Sequence, residues 1–130
     1  MATTTLILDG SKVTDLTAFF READRLLLHG QDWQLGESLD ALYDVLHGGF
    51  GVHAPGEKIT IVWTQVHQSR IALGYPATIV YLEKRLADPR RNTALFQRRL
   101  NAARAETGRT LFDLLLHVFI DHPQVSLLLE

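Results

Sequence analysis

The sequence predicts an α/β fold: a three-stranded parallel sheet covered by helices, with an extra inserted helical segment. Two observations predict it. Three short β-branched or apolar runs, "TTTLIL" (3–8), "KITIVW" (58–63) and "QVSLLL" (124–129), have strand character. Long stretches with helical periodicity separate them. Crossovers of that length favour parallel strands, joined right-handedly, with helices packed on the sheet in two or three layers.

The elements follow in chain order. "DG" at 9–10 ends the first strand. Thr14 is the expected cap of the next helix, whose buried face is Leu16, Phe19, Phe20, Ala23 and Leu27, and Gly30 stops it. "GQDWQLGE" (30–37) reads as a loop. Ser38 caps a short helix with an apolar stripe of Leu39, Leu42, Tyr43 and Leu46, ended by Gly48 and Gly49. After the "GVHAPGEK" loop and the second strand, residues 65–73 form a short helix that ends at Gly74 and Pro76. Residues 77–87 and 93–106 are two helical segments separated by "DPRRN". Thr110 caps the apolar helix "LFDLLLHVFI", which stops before Pro123. No repeat, low-complexity tract or linker interrupts the chain, so residues 1–130 are expected to form one domain.

Composition narrows the function. With 130 residues, 46% of them hydrophobic, the chain can bury a core. There is no cysteine, which excludes disulfides, thiol nucleophiles and thiolate metal sites. "MATTTLILDG" lacks a basic n-region and is not expected to be a signal peptide. No apolar run approaches the roughly 20 residues of a membrane span. The expected location is cytoplasmic, with no membrane partner.

The net charge of −2 hides an uneven distribution. Asp32, Glu37, Asp40 and Asp44 have no Lys or Arg among them, whereas residues 84–104 carry seven basic residues against Asp88 alone. Each helical residue turns about 100°. Asp40, Tyr43, Asp44 and His47 therefore share one stripe, with Tyr43 on its border with the apolar one. A like-charge i,i+4 pair costs roughly 0.2–0.5 kcal/mol. Asp40 gains some compensation from the positive helix end, and Asp44 gains little. The stripe is either a plain solvated face or a surface awaiting a cationic partner.

"LGESLDALYDVLHG" (35–48) resembles the signature of barstar-family ribonuclease inhibitors, roughly aromatic-Gly-x-Asn-Leu-Asp-Ala-Leu-Trp-Asp-x-Leu-x-Gly. Gly36, Leu39, Asp40, Ala41, Leu42, Asp44, Leu46 and Gly48 match. Tyr43 replaces the tryptophan, Ser38 the asparagine and Leu35 the aromatic residue. "LILDG" with "VTDL", "ITIVWTQVHQS" and "VFIDHPQVSLLL" resemble other parts of the family. Residues from about 75 to 108 have no counterpart and read as an insertion. The resemblance implies a barstar-like fold and a protein inhibitor of a basic ribonuclease, such as a toxin-immunity protein. It implies that the acidic helix and its preceding loop plug the nuclease active site. Asp44 would take the place of an RNA phosphate and Asp40 would support it. Tyr43, Leu39, Ser38, Gly36, Leu35, Gln34 and Trp33 would complete the contact surface. No cofactor, metal or catalytic residue is implied.

Rival readings are weaker. Six histidines occur, but none forms HxxxH or HExxH. His117 and His122 read as a core residue and a turn residue. His47 with Asp44 could be a base and its orienter, but no nucleophile lies beside them. "GGFG" (48–51) reads as a helix stop, and Trp33 and Phe50 as core or rim aromatics. The alternative function is a nucleic-acid-binding module using the basic 83–104 segment. That segment also carries Leu82, Leu86, Leu95, Phe96 and Leu100 at its apolar positions, so a solvated basic face on a hairpin is favoured and nucleic acid is disfavoured.

Overall fold

The computed structural model describes residues 4–32, 34–47, 57–88, 90 and 93–130. β1 (Thr4–Asp9), β2 (Ile59–Thr64) and β3 (Val125–Leu129) form a sheet in the order β1-β2-β3, with both pairs parallel. α1 (Leu16–Leu27) and α2 (Leu39–His47) connect β1 to β2. α3 (Val66–Ala72), α4 (Tyr75–Leu86), α5 (Thr93–Arg104) and α6 (Leu111–Ile120) connect β2 to β3.

Alternation along the central strand shows which face is covered. Ile59, Ile61 and Trp63 are buried, while Thr60, Val62 and Thr64 between them are only partly so. Across the other face Ile7, Val62 and Leu128 pair in register, and Ile7 and Leu128 remain 48% and 51% exposed. Of the two layer arrangements expected, the two-layer one is realised.

Two local expectations shift. The cap of α1 is Asp15, whose carboxylate accepts from the Ala18 N–H at 2.7 Å, and Thr14 is exposed one residue earlier. Pro76 was expected to mark a helix end. It lies in the first turn of α4, where a missing N–H costs nothing. The capping residues Ser38 and Thr110 hold their predicted helices, Thr110 in a reciprocal capping box with Asp113. The helix stop at Gly48 and Gly49, the turn through Phe50, and His53 lie outside the described residues.

The main core joins the sheet to α1, α2 and α6. Phe19, Trp63, Phe112 and Phe119 form its aromatic centre, with Trp63 5.2–6.1 Å from the other three ring centroids. The Trp63 indole N–H donates to Ser69 Oγ at 2.9 Å, and that hydroxyl donates to the Gly10 carbonyl at 3.1 Å. Glycine is needed there, because a Cβ at position 10 would meet the Thr64 carbonyl oxygen at 2.1 Å.

α4 and α5 form the hairpin expected as an insertion. They share a smaller cluster of Leu82, Leu100 and Ala103, with Ile79, Leu86 and Phe96 packed against it. The main cluster contains no fully buried side chain between Leu73 and Leu111. Ala77 and Tyr81 attach the hairpin to it from the side. Thr78 adds a polar tie, its Oγ1 accepting from the Leu111 N–H at 2.8 Å.

Candidate partner-binding surface

The surface is built from α2 and the loop before it. That loop turns through two successive left-handed residues, Gly36 at φ 63° and Glu37 at φ 59°. Glycine adopts this freely, but a glutamate there costs on the order of 1–3 kcal/mol and needs support. Helices α1 and α4 supply it. Thr17 Oγ1 of α1 donates to Glu37 Oε1 at 2.8 Å, and Arg85 Nη2 of α4 donates to the Glu37 carbonyl at 3.3 Å. The Leu35 N–H donates to Asp24 Oδ1 at 2.9 Å, and the Leu35 carbonyl accepts from the Ser38 N–H at 3.3 Å. Ser38 then starts α2, its Oγ accepting from the Ala41 N–H and its carbonyl from Leu42, both at 3.1 Å.

α2 buries Leu42, Val45 and Leu46 and turns Asp40, Tyr43, Asp44 and His47 outward. Neither aspartate meets a cation or a hydrogen-bond donor among the described residues. Tyr43 is 42% exposed and rests on His122, with ring centroids 4.3 Å apart and planes inclined at 57°. His47 lies 6.2 Å from the same imidazole. His122 itself is 2% exposed and is anchored by Nδ1, 2.7 Å from the Val118 carbonyl. Among the described residues its Nε2 has no hydrogen-bond partner. His117, expected in the core, lies in the last turn of α6 and is exposed, whereas His122, just past the helix, is both at a turn and in the core.

The predicted contact residues fall into distinct groups. Asp40, Asp44, Tyr43, Gln34 and Gly36 are exposed, and Ser38 and Leu39 partly so. Leu35 needs correcting: it is 3% exposed and packs in the main core, so its side chain holds the loop down and offers a partner nothing. Trp33 lies outside the described residues. Sequence reading missed His122, Thr17 and Arg85 as supports. The "DHP" turn is the only local mark of His122, and nothing in its spacing points at Tyr43. Arg85 sits in "EKR", which is indistinguishable in sequence from a solvated run.

The basic hairpin borders the acidic surface. A groove of about 290 Å³ has Gly36–Asp40 on one side and Tyr81, Arg85, Phe96 and Arg99 on the other. A second cleft of about 370 Å³ continues past Glu37, between the start of α1 and the Ala77, Val80 and Lys84 side of α4. Among the described residues no three His, Asp or Glu side chains gather as a metal site, and no helix is long and apolar enough to cross a membrane.

A parallel β-α-α-β arrangement with an uncompensated acidic helix is what the resemblance implied, and a family comparison decides the matter. The model described as Barstar (barnase inhibitor) matches residues 3–93. The chain belongs to the barstar family. No curated protein matches it. The barstar match takes in β1, the locked loop, α2, β2, α3 and α4, and it ends where α5 begins. α4 thus falls inside the match although it begins the segment expected to lack a counterpart, while α6 and β3 lie beyond it. The description of that family is of an inhibitor, with barnase as the named target.

Proposed function

We propose that this chain inhibits a basic ribonuclease in the cytoplasm, as an immunity protein does for a toxin, and that residues 1–130 act as one barstar-like domain. α2 and the loop at Gln34–Ser38 plug the nuclease active site. Asp44 occupies the place of an RNA phosphate, Asp40 reinforces it, and Tyr43 and Leu39 seal the contact. Trp33 joins the same contact set. The mechanism is occlusion, without bond making or breaking.

The observation that carries this reading is a pair of carboxylates, unpartnered among the described residues, on a firmly held helix. Two like charges one turn apart reduce helix stability slightly. They become favourable against the arginines, lysines and histidines of a phosphate-binding cleft, where charge-assisted bonds are the strong ones. Fixing Gly36 and Glu37 beforehand lowers the ordering cost of docking.

The test is inhibition of barnase by the purified chain and by Asp44→Ala. Truncating one partner of a buried interfacial charge pair costs roughly 2–5 kcal/mol. Asp44→Ala should therefore weaken inhibition by more than about thirtyfold with little change in thermal stability. Inhibition within threefold of wild type would remove the phosphate-mimic role.

A further inference from the structure

We propose that the groove between the Gly36–Asp40 loop and the α4–α5 hairpin is a second docking site on the same surface. It takes an acidic side chain from the rim of the nuclease, with Arg99 as its counter-ion. This extends the inhibitor reading and rests on it for the identity of the partner.

The cations of the hairpin are not equivalent. Arg90 is paired with Asp88 at 3.1 Å, and Arg104 lies 4.0 Å from Glu83. Arg85 is committed to the loop, donating to the Glu37 carbonyl while its guanidinium lies 4.8 Å over the Tyr81 ring. Arg99 differs from all three. It lies 5.9 Å over the Phe96 ring, is exposed, and reaches no carboxylate among the described residues. The aromatic face leaves the edge N–H groups free to grip a carboxylate bidentately.

Asp40 belongs both to the acidic stripe and to this groove. A partner docked there therefore meets a carboxylate on one wall and a guanidinium on the other. A uniformly anionic strand such as RNA would be repelled by Asp40 and Glu37. A protein rim that presents an acidic side chain next to a cationic cleft satisfies both signs, and such complementarity selects partners by penalising the wrong ones. The hairpin then sets which ribonuclease is recognised, while α2 supplies the plug.

The experiment has two readouts on the full chain. In the first, a C-terminally amidated Lys-Gly-Glu-Gly-Lys peptide, which presents one carboxylate beside cations, is titrated into isotope-labelled protein and followed by NMR. Saturable shifts are expected at Gly36–Asp40 and at residues 96–100, lost in Arg99→Glu and weakened in Arg99→Ala. No shift there, or stronger shifts with a ten-nucleotide uridine RNA, would overturn the proposal. In the second, barnase association is measured for wild type, Asp44→Ala and Arg99→Glu. Slowing of about tenfold by Arg99→Glu supports the groove. An unchanged rate with a defective Asp44→Ala would overturn the groove and leave the inhibitor reading intact. Groove shifts with the peptide but no association of the wild type with barnase would overturn the inhibitor reading and leave the carboxylate site. Arg99 is exposed, so an unaltered melting curve in both variants separates binding from folding.

Discussion

The Tyr43 ring is backed by the imidazole of His122, 4.3 Å away, so an exposed residue of the acidic helix is positioned by a buried residue from the other end of the chain. A buried ring removed to alanine leaves a cavity and costs roughly 2–5 kcal/mol. His122→Ala should lower the melting temperature and weaken nuclease binding, because Tyr43 loses its support. His122→Phe keeps a ring and removes an Nε2 that has no partner among the described residues, so it should restore most of the binding. Equal binding by both variants in a titration would show that Tyr43 needs no support.

Arg85 should act on the loop more than on the fold. It is half-buried, and its bond to the Glu37 carbonyl helps to hold a left-handed glutamate. Arg85→Ala is expected to cost no more than about 1.5 kcal/mol in a thermal melt. Amide hydrogen exchange at Ser38, whose N–H donates to the Leu35 carbonyl, should rise about tenfold. Unchanged exchange at Ser38 would mean that Thr17 and Asp24 hold the loop without help.

Glu22 makes acid stability predictable in sign. The residue is 4% exposed. It accepts twice from Arg25, at 2.8 and 2.9 Å, and once from the Asp9 N–H at 2.7 Å. The Arg25 bonds come first in holding its pKa below the ordinary 4.5, burial works against them, and the Asp9 N–H assists. The unfolded chain therefore takes up the proton first. Stability from Glu22 is fully present above pH 4.5 and is lost as pH falls from there through the lower folded value. Glu22→Gln should be roughly 1–3 kcal/mol less stable at neutral pH. It should also lose less on going from about pH 6 to pH 3. Parallel melting-temperature profiles for the two proteins would assign the acid sensitivity elsewhere.

The hairpin should be removable. No fully buried side chain of the main cluster comes from it, so a chain lacking residues 76–107, closed by a short Gly/Ser linker, is expected to fold. Losing the Thr78 acceptor leaves the Leu111 N–H unpaired, and Ala77 and Tyr81 no longer cover the core. A buried N–H left unsatisfied costs roughly 1–3 kcal/mol, so the melt should be cooperative and lower. A melt without a cooperative transition would place α4 in the core.

By itself the sequence determined the three parallel strands, the order of the helices, the Ser38 and Thr110 caps, and the acidic stripe on α2. The elements rest on periodicity and the caps on bonds that span three residues, so local chemistry specifies them, while the parallel pairing follows from the length of the helical crossovers. Asp15 rather than Thr14 caps α1 because a one-residue choice between two good capping side chains depends on where the chain leaves the Gly10–Lys12 turn. Tertiary structure alone decided that Leu35 is core, that His122 lies under Tyr43, and that Arg85 holds Glu37. Each joins residues far apart in sequence: Arg85 and Glu37 are 48 positions apart. No pattern along the chain encodes such a pairing, because it depends on how α2, α4 and α6 pack around the sheet. The same packing turns a basic run into one wall of a groove whose other wall is acidic.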